Sequence, residues 1–306
     1  MSLAAPSTTA LELVVSSVTD AAGRPTNEDA ILVADLPRGA DSADAGYVLA
    51  VADGMGGLER GEVASKLAID LVADLFARDR PADIAAALKQ AYRRANEAIY
   101  AESQKTGDAG QMGTTLVSAV IHGKYLTIAN VGDSRAYLIR ANQLTQITID
   151  HTLVRDQVKD GRISEDQARR SPQRNILTHA LGAEPQLDRR LPSIFELDLL
   201  PEDRLLLCSD GFYDVMQQQD YLDVLGAPDT VDSARELSAI AQKRGTSDNV
   251  SAIVVAVKPS AATVQRAQIG VELAEQSRGR FSPILIPAIV LLIVIVAIAV
   301  GLYFSL

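Results

Sequence analysis

Short apolar runs separated by polar turns recur from Leu11 to about Lys258 and set the first reading of the chain. Leu11 to Val18, Ala30 to Ala34, Tyr47 to Ala52, Thr115 to Ile121, Tyr125 to Ala129 and Ala136 to Arg140 have the length and β-branched content of strands. So do Ser193 to Leu197, Arg204 to Cys208 and Val250 to Val257. The links His122-Gly123-Lys124 and Gly132-Asp133-Ser134 are hairpin-sized, which predicts antiparallel neighbours rather than crossover units. Helical spacing takes over twice early in the chain. Ala64, Leu67, Ala68, Leu71 and Leu75 form one apolar stripe, and Ile84, Leu88, Ala91, Ala95 and Ile99 form another. A third helix is expected around Ser233 to Gln242, before the last strand. Antiparallel sheets with helices laid against them imply an α+β layered sandwich over residues 11–258.

The pattern changes at both ends. Residues 1–10 are small and polar and read as a loose tail; residues 259–283, punctuated by Pro259 and Pro283, read as a linker. From Ile284 to Phe304 the chain runs ILIPAIVLLIVIVAIAVGLYF without a charged side chain. A helix of that length, at about 1.5 Å per residue, matches the roughly 30 Å core of a bilayer. A buried core helix rarely runs this long or stays apolar on every face. One C-terminal transmembrane helix is therefore expected over 284–304. Arg278 and Arg280 precede it, so the positive-inside rule leaves the preceding domain in the cytoplasm. The expected localisation is single-pass, in the inner or plasma membrane. No Lys or Arg occurs before Arg24 and the first ten residues are not apolar, so no secretory signal is expected there.

Charge narrows the chemistry. With 39 acidic against 29 basic residues and a formal net charge of −10, the balance argues against a nucleic-acid footprint, which would need a basic face. The single cysteine, Cys208, excludes an internal disulfide or a cysteine-based zinc site, and its apolar strand suggests packing rather than reactivity. Three scattered histidines do not make a metal site. A bound metal would be a hard cation held through oxygen. Such oxygens stand at strand termini. Tyr47 to Ala52 stops at Asp53-Gly54, Arg204 to Cys208 stops before Asp210-Gly211, Asp248 precedes the strand from Val250, and Asp133 caps a tight link. Singly, each Asp-Gly pair is turn chemistry. Gathered at one edge, four carboxylates repel one another unless a cation neutralises them. Mg²⁺ or Mn²⁺ with several waters suits such a cluster.

The motifs containing these residues resemble the PP2C (PPM) family of metal-dependent protein phosphatases, in its bacterial branch. They are Gly23-Arg24-Pro25-Thr26-Asn27-Glu28-Asp29-Ala30, Val51-Ala52-Asp53-Gly54-Met55-Gly56-Gly57, Met112-Gly113-Thr114-Thr115 and Asn130-Val131-Gly132-Asp133-Ser134-Arg135-Ala136-Tyr137. Cys208-Ser209-Asp210-Gly211-Phe212-Tyr213-Asp214 and Ser247-Asp248-Asn249-Val250-Ser251 come next, in the family's order. The resemblance implies a four-layer αββα sandwich of two antiparallel sheets flanked by helices, with two divalent cations, Mn²⁺ or Mg²⁺, at one end. Asp53 would bridge both, the Gly54 carbonyl would help on one, and Asp210 and Asp248 would complete the other. Glu28 would reach a metal through water, with Asp29 and Asn249 behind the ligands. Asp133, with Asp210, resembles the pair that binds a weaker third metal.

The activity implied is hydrolysis of phosphoserine and phosphothreonine in proteins by a metal-activated water, with Asp53 and Asp210 central. Arg24 is the candidate phosphate clamp, because a guanidinium forks onto two oxygens. Eukaryotic members carry a histidine where this chain has Met55, which leaves protonation of the leaving group to another donor. His151 and His179 fall in a charged excursion, Asp150 to Pro185, that resembles the family's flap. Phosphorylated proteins are the expected partners, membrane-bound Ser/Thr kinases and their substrates among them. Two other readings compete: a catalytically inactive phosphoprotein-binding scaffold, which loss of Asp53, Asp210 or Asp248 would favour, and a small-molecule phosphoester hydrolase.

Overall fold

The computed structural model describes residues 11–37, 46–56, 60–105, 112–227 and 232–259. Its strands form two antiparallel sheets. One runs in the order β1 (Leu11–Asp20), β11 (Val250–Pro259), β10 (Arg204–Cys208), β7 (Arg135–Arg140) and β8 (Gln143–Gln146). The other runs β2 (Asp29–Asp35), β3 (Gly46–Met55), β5 (Leu116–His122), β6 (Tyr125–Val131) and β9 (Ser193–Asp198), with the short β4 (Gly113–Thr114) pairing the end of β3. Helices α1 (Arg60–Phe76) and α2 (Ile84–Lys105) lie on the second sheet. Helices α5 (Asp210–Tyr213), α6 (Gln218–Leu225) and α7 (Ser233–Lys243) lie on the first. The excursion after β8 carries α3 (Leu153–Lys159) and α4 (Glu165–Arg170), the latter opened by a reciprocal Ser164–Gln167 capping box.

Strand alternation builds the four layers. On β3, Val48, Ala50 and Ala52 pack against α1 and α2, whereas Leu49 and Val51 point between the sheets. Ile253, Val255 and Val257 of β11 meet them there, with Leu205 and Leu207 of β10. The opposite faces of β10 and β11, Leu206, Cys208, Ala252 and Val254, pack under α5 to α7. Cys208 is fully buried there and is a core residue. On the other side, the buried Tyr92 hydroxyl of α2 donates to the Ala129 carbonyl at 2.8 Å, tying the helix to the sheet without leaving a polar atom unpaired. The expected αββα arrangement of two antiparallel sheets is what the chain forms.

Several local expectations give way. The link Gly132-Asp133-Ser134 is not a hairpin: β6 pairs with β5 and β9, whereas β7 pairs with β10 and β8 in the other sheet. Those three residues carry the chain from one sheet to the other. The strand expected to stop before Asp53 continues to Met55, because Asp53 pairs with Asp29 and Gly54 with Thr114. β4, β8, α5 and α6 were not anticipated; each is too short or too mixed in pattern to show a period. Residues 10–259 form one compact unit. The expected linker begins inside it, since Pro259 closes β11. The rest of that linker, the expected tail over 1–10 and the expected span over 284–304 lie outside the described residues. Among the described residues no helix is long and apolar enough to cross a membrane.

Candidate metal centre

The layer between the sheets is apolar along most of its length and turns polar at one end. Asp53 continues the inward register of Leu49 and Val51, and Asp29 lies directly opposite on β2. Two carboxylates facing each other across an antiparallel pair are destabilising unless a third group intervenes. Ser209, just past β10, donates to Asp29 Oδ2 at 2.8 Å and accepts the Ser251 N–H at 3.1 Å. The backbone of Asp53 is fixed by its neighbours. Its carbonyl accepts from the Thr114 hydroxyl and the Thr115 N–H, both at 2.9 Å, and its N–H donates to Thr115 Oγ1 at 3.1 Å. Thr115 Oγ1 in turn lies 2.7 Å from Ser134 Oγ.

Three further segments converge here. Gly54 donates to the Glu28 carbonyl at 3.1 Å, and a side chain at Gly54 would run into the Gly61 carbonyl, so glycine is needed for α1 to approach β3. The Glu28 carboxyl lies over Gly61 with no room for a Cβ between them. Asn249 accepts the Glu28 N–H at 2.9 Å and donates to the carbonyls of Ala21 and Thr26 at 3.2 and 3.0 Å. That amide staples the loop before β2 onto the start of β11. Through it Arg24 arrives at the cluster, its Nη2 donating to Asp248 Oδ2 at 2.6 Å and its Nε to the Ser247 carbonyl at 3.0 Å. Arg24 was expected as a clamp for phosphate; as it stands, the guanidinium holds a carboxylate of the cluster.

The electrostatics are those of crowded acids. Burial, and then Asp29, Asp210, Asp133 and Asp248 in turn, hold the Asp53 carboxyl well above its usual range. Burial raises Asp29 as well, against hydrogen bonds from Ser251 and Ser209, and Asp210 is raised by burial and then by Asp248. Asp133 is pushed up to about 7, by burial first and then by Asp210 and Asp150. Glu28 is raised by burial and partly relieved by Arg24. Two buried oxygens, Asp29 Oδ1 and Asp210 Oδ1, have no hydrogen-bond partner. An orphaned buried carboxylate oxygen costs several kcal/mol, on the order of the penalty for an uncompensated ion. Divalent cations satisfy both the repulsion and the orphaned oxygens, so the residues present fit such ions. Among the described residues no three His, Cys, Asp or Glu side chains form a ready-made chelate.

The structure therefore brings together Asp53, Asp210, Asp248, Asp133, Asp29 and Glu28, with Gly54 and Asn249 framing them. Arg24 stands at the rim. The histidines stand apart from the cluster. His151 binds Gly132 and Ser193, and His179 packs edge-on against it at 5.6 Å. The polar floor of Thr114, Thr115, Ser134, Ser209 and Ser251 was missed as function. All five lie inside the motifs that carry the family resemblance, but a hydroxyl carries no local sign of which carboxylate it will serve.

A family model described as protein phosphatase 2C matches residues 16–250. The chain belongs to the protein phosphatase 2C family. Serine/threonine protein phosphatase PstP of Mycobacterium tuberculosis is 40% identical over 219 residues, covering 71% of this chain and 42% of PstP. The chain thus spans less than half the length of that relative. Serine/threonine phosphatase stp of Listeria monocytogenes is 35% identical over 215 residues, covering 68% of this chain and 83% of stp. Among solved structures, the M. tuberculosis serine/threonine phosphatase PstP/Ppp superposes with a TM-score of 0.70 at 36% identity, covering 80% of this chain and 99% of that one. The PstP catalytic domain in complex with two manganese ions gives 0.69 at 36% identity, covering 81% and 99%.

Proposed function

We propose that this chain hydrolyses phosphoserine and phosphothreonine in proteins, using two divalent cations, Mn²⁺ or Mg²⁺, at the carboxylate cluster. The observation that carries this reading is the set of buried acids around Asp53 with unpartnered oxygens on Asp29 and Asp210. Asp53, Asp210 and Asp248, with the Gly54 carbonyl, would hold the ions, and Glu28 would act through water. Asp133 with Asp210 would hold a weaker third ion. Bound there, the cations would supply an activated water for attack on phosphorus and would neutralise charge on the phosphoryl oxygens. The residues around them keep the site in shape. Thr114 and Thr115 fix the Asp53 backbone, Ser209 orients Asp29, and Asn249 keeps the Glu28 loop in place. The complex of PstP with two manganese ions supports the choice of metal.

Turnover of a phosphothreonine peptide is expected to vanish in EDTA and to return with Mn²⁺ or Mg²⁺. Nucleotides and sugar phosphates are expected to be turned over far more slowly. Full activity in EDTA would remove the metal from the reading, and a preference for small phosphoesters would remove the protein substrate.

Arg24 would serve the phosphate and Asp248 together. Arg24→Ala is expected to raise KM and lower kcat, because a phosphate clamp acts in both ground and transition states. The same change frees Asp248 from its 2.6 Å ion pair, so the Mn²⁺ requirement should shift too. The loss should be smaller than that from removing a metal ligand. Unchanged kcat and KM would return Arg24 to a surface ion pair.

We further propose that the catalytic domain works at the cytoplasmic face of the inner or plasma membrane, held by residues 284–304. Confinement to that surface raises its effective concentration toward phosphoproteins there, such as membrane-bound Ser/Thr kinases and their substrates.

A further inference from the structure

Asp133 reaches the cluster from the three-residue step between sheets, and that step has no ladder partners of its own. Thr115 holds Ser134 and the Asn130 amide donates to the Gly132 carbonyl at 3.3 Å; further support comes from the start of the flap. His151 exchanges two hydrogen bonds with Gly132: its N–H donates to the Gly132 carbonyl at 3.0 Å, and the Gly132 N–H donates to His151 Nδ1 at 3.1 Å. One residue earlier, the Asp150 carboxylate receives the fork of Arg135, from Nη2 at 2.6 Å and from Nε at 3.0 and 3.2 Å. Two adjacent flap residues therefore grip the chain on both sides of Asp133.

Both grips are themselves braced. His151 Nε2 lies 3.2 Å from Ser193 Oγ on β9. Accepting from Gly132 requires a bare Nδ1, so in the neutral ring the proton sits on Nε2 and is donated to Ser193. The Arg135 guanidinium carbon sits over the Tyr213 ring, 3.4 Å from its centre, and Nη1 donates to Tyr137 Oη at 2.9 Å. A stacked, forked guanidinium has no other rotamer open to it that keeps these contacts. Asp150 is further held by the Gln146 amide at 2.9 Å.

We propose that Asp150 and His151 are positioning residues for Asp133: from the first two residues of the flap they clamp Gly132 and Arg135, and so fix the Asp133 carboxylate beside Asp53 and Asp210. The proposal rests on the metal-dependent phosphatase reading. It assigns the first histidine of the flap a role through hydrogen bonding to the backbone, with no contact to substrate.

The test uses the full-length protein and a double-mutant cycle. His151→Ala, His151→Asn, Asp133→Ala and the double variant His151→Ala/Asp133→Ala are compared with wild type. Mn²⁺ binding is read by calorimetry, alongside peptide turnover against Mn²⁺ concentration and exchange of the Gly132 amide in metal-free protein. His151→Ala should weaken the weakest Mn²⁺ step by about tenfold, the usual scale for loss of a group that orients a ligand, while the tighter steps stay unchanged. It should also speed exchange of the Gly132 amide, which Asp133→Ala should leave slow. His151→Asn, whose Oδ1 can take the place of Nδ1, should recover most of the loss. On the Asp133→Ala background, His151→Ala should add nothing. Additive effects in the cycle, equal weakening of every Mn²⁺ step, or no change at all would overturn the proposal. If His151→Ala does not fold, Asp150→Asn, which loosens the grip on Arg135, is carried through the same cycle: it should weaken the weakest Mn²⁺ step, add nothing on the Asp133→Ala background, and leave Gly132 amide exchange slow. A wild type that binds no Mn²⁺ overturns the phosphatase reading, and this proposal with it; normal wild-type binding with an additive cycle overturns the proposal alone.

Discussion

Asp53→Asn is expected to lower kcat on a phosphothreonine peptide by several orders of magnitude while the metal-free protein melts no lower than wild type. The two halves have one cause. Asn keeps the shape of Asp and leaves untouched the backbone bonds from Thr114 and Thr115 that hold this position. It removes a charge that burial and four neighbouring aspartates disfavour. In the absence of metal that charge only repels, so its loss relieves the fold. With metal bound, the proposed role of the same carboxylate is to hold the ions, and its loss would loosen them. Calorimetric melting in EDTA beside turnover in Mn²⁺ checks both halves. Near-normal turnover would end the two-cation reading. A large fall in melting temperature would mean that Asp53 supports the fold rather than the chemistry.

The other large effect concerns the tail. The full-length protein is expected to sediment with membranes and to resist carbonate extraction, whereas a chain ending at Pro259 stays in the supernatant with unchanged peptide turnover. Residues 10–259 are compact and contain every proposed ligand, which is why the shortened chain should keep its activity. The run from Ile284 to Phe304 is long enough for the roughly 30 Å bilayer core and carries no charge to resist insertion. A full-length protein in the soluble fraction would overturn the anchor. Loss of activity on truncation at Pro259 would mean that the domain depends on residues 260–306.

The strands were legible because period-2 burial writes itself into sequence: Leu49, Val51 and Ile253, Val255 alternate with residues serving the opposite face. The helices on the second sheet were legible for the same reason at period 3.6. The acids of the site were legible as residues, since an apolar strand running into Asp-Gly is visible locally, and their order along the chain carries the family resemblance.

Partnership across the sequence was not legible. Arg24 and Asp248 meet across 224 positions, and no pattern near either residue names the other. The step at Gly132 to Ser134 shows why most clearly. Packed sheets lie about 10 Å apart, and three extended residues reach about that far, so the same short link serves a hairpin or a passage between sheets. The choice falls to the tertiary structure: β6 is taken up by β5 and β9, and β7 by β8 and β10. Local turn propensity at Asp53-Gly54 was likewise overruled by the ladder that pairs them with Asp29 and Thr114. Periodicities, the apolar C-terminal run and the supply of carboxylates are all written locally in the chain. Which carboxylates would face one another, and at what electrostatic cost, was settled when two sheets closed over a shared apolar layer and left its one polar end to the acids.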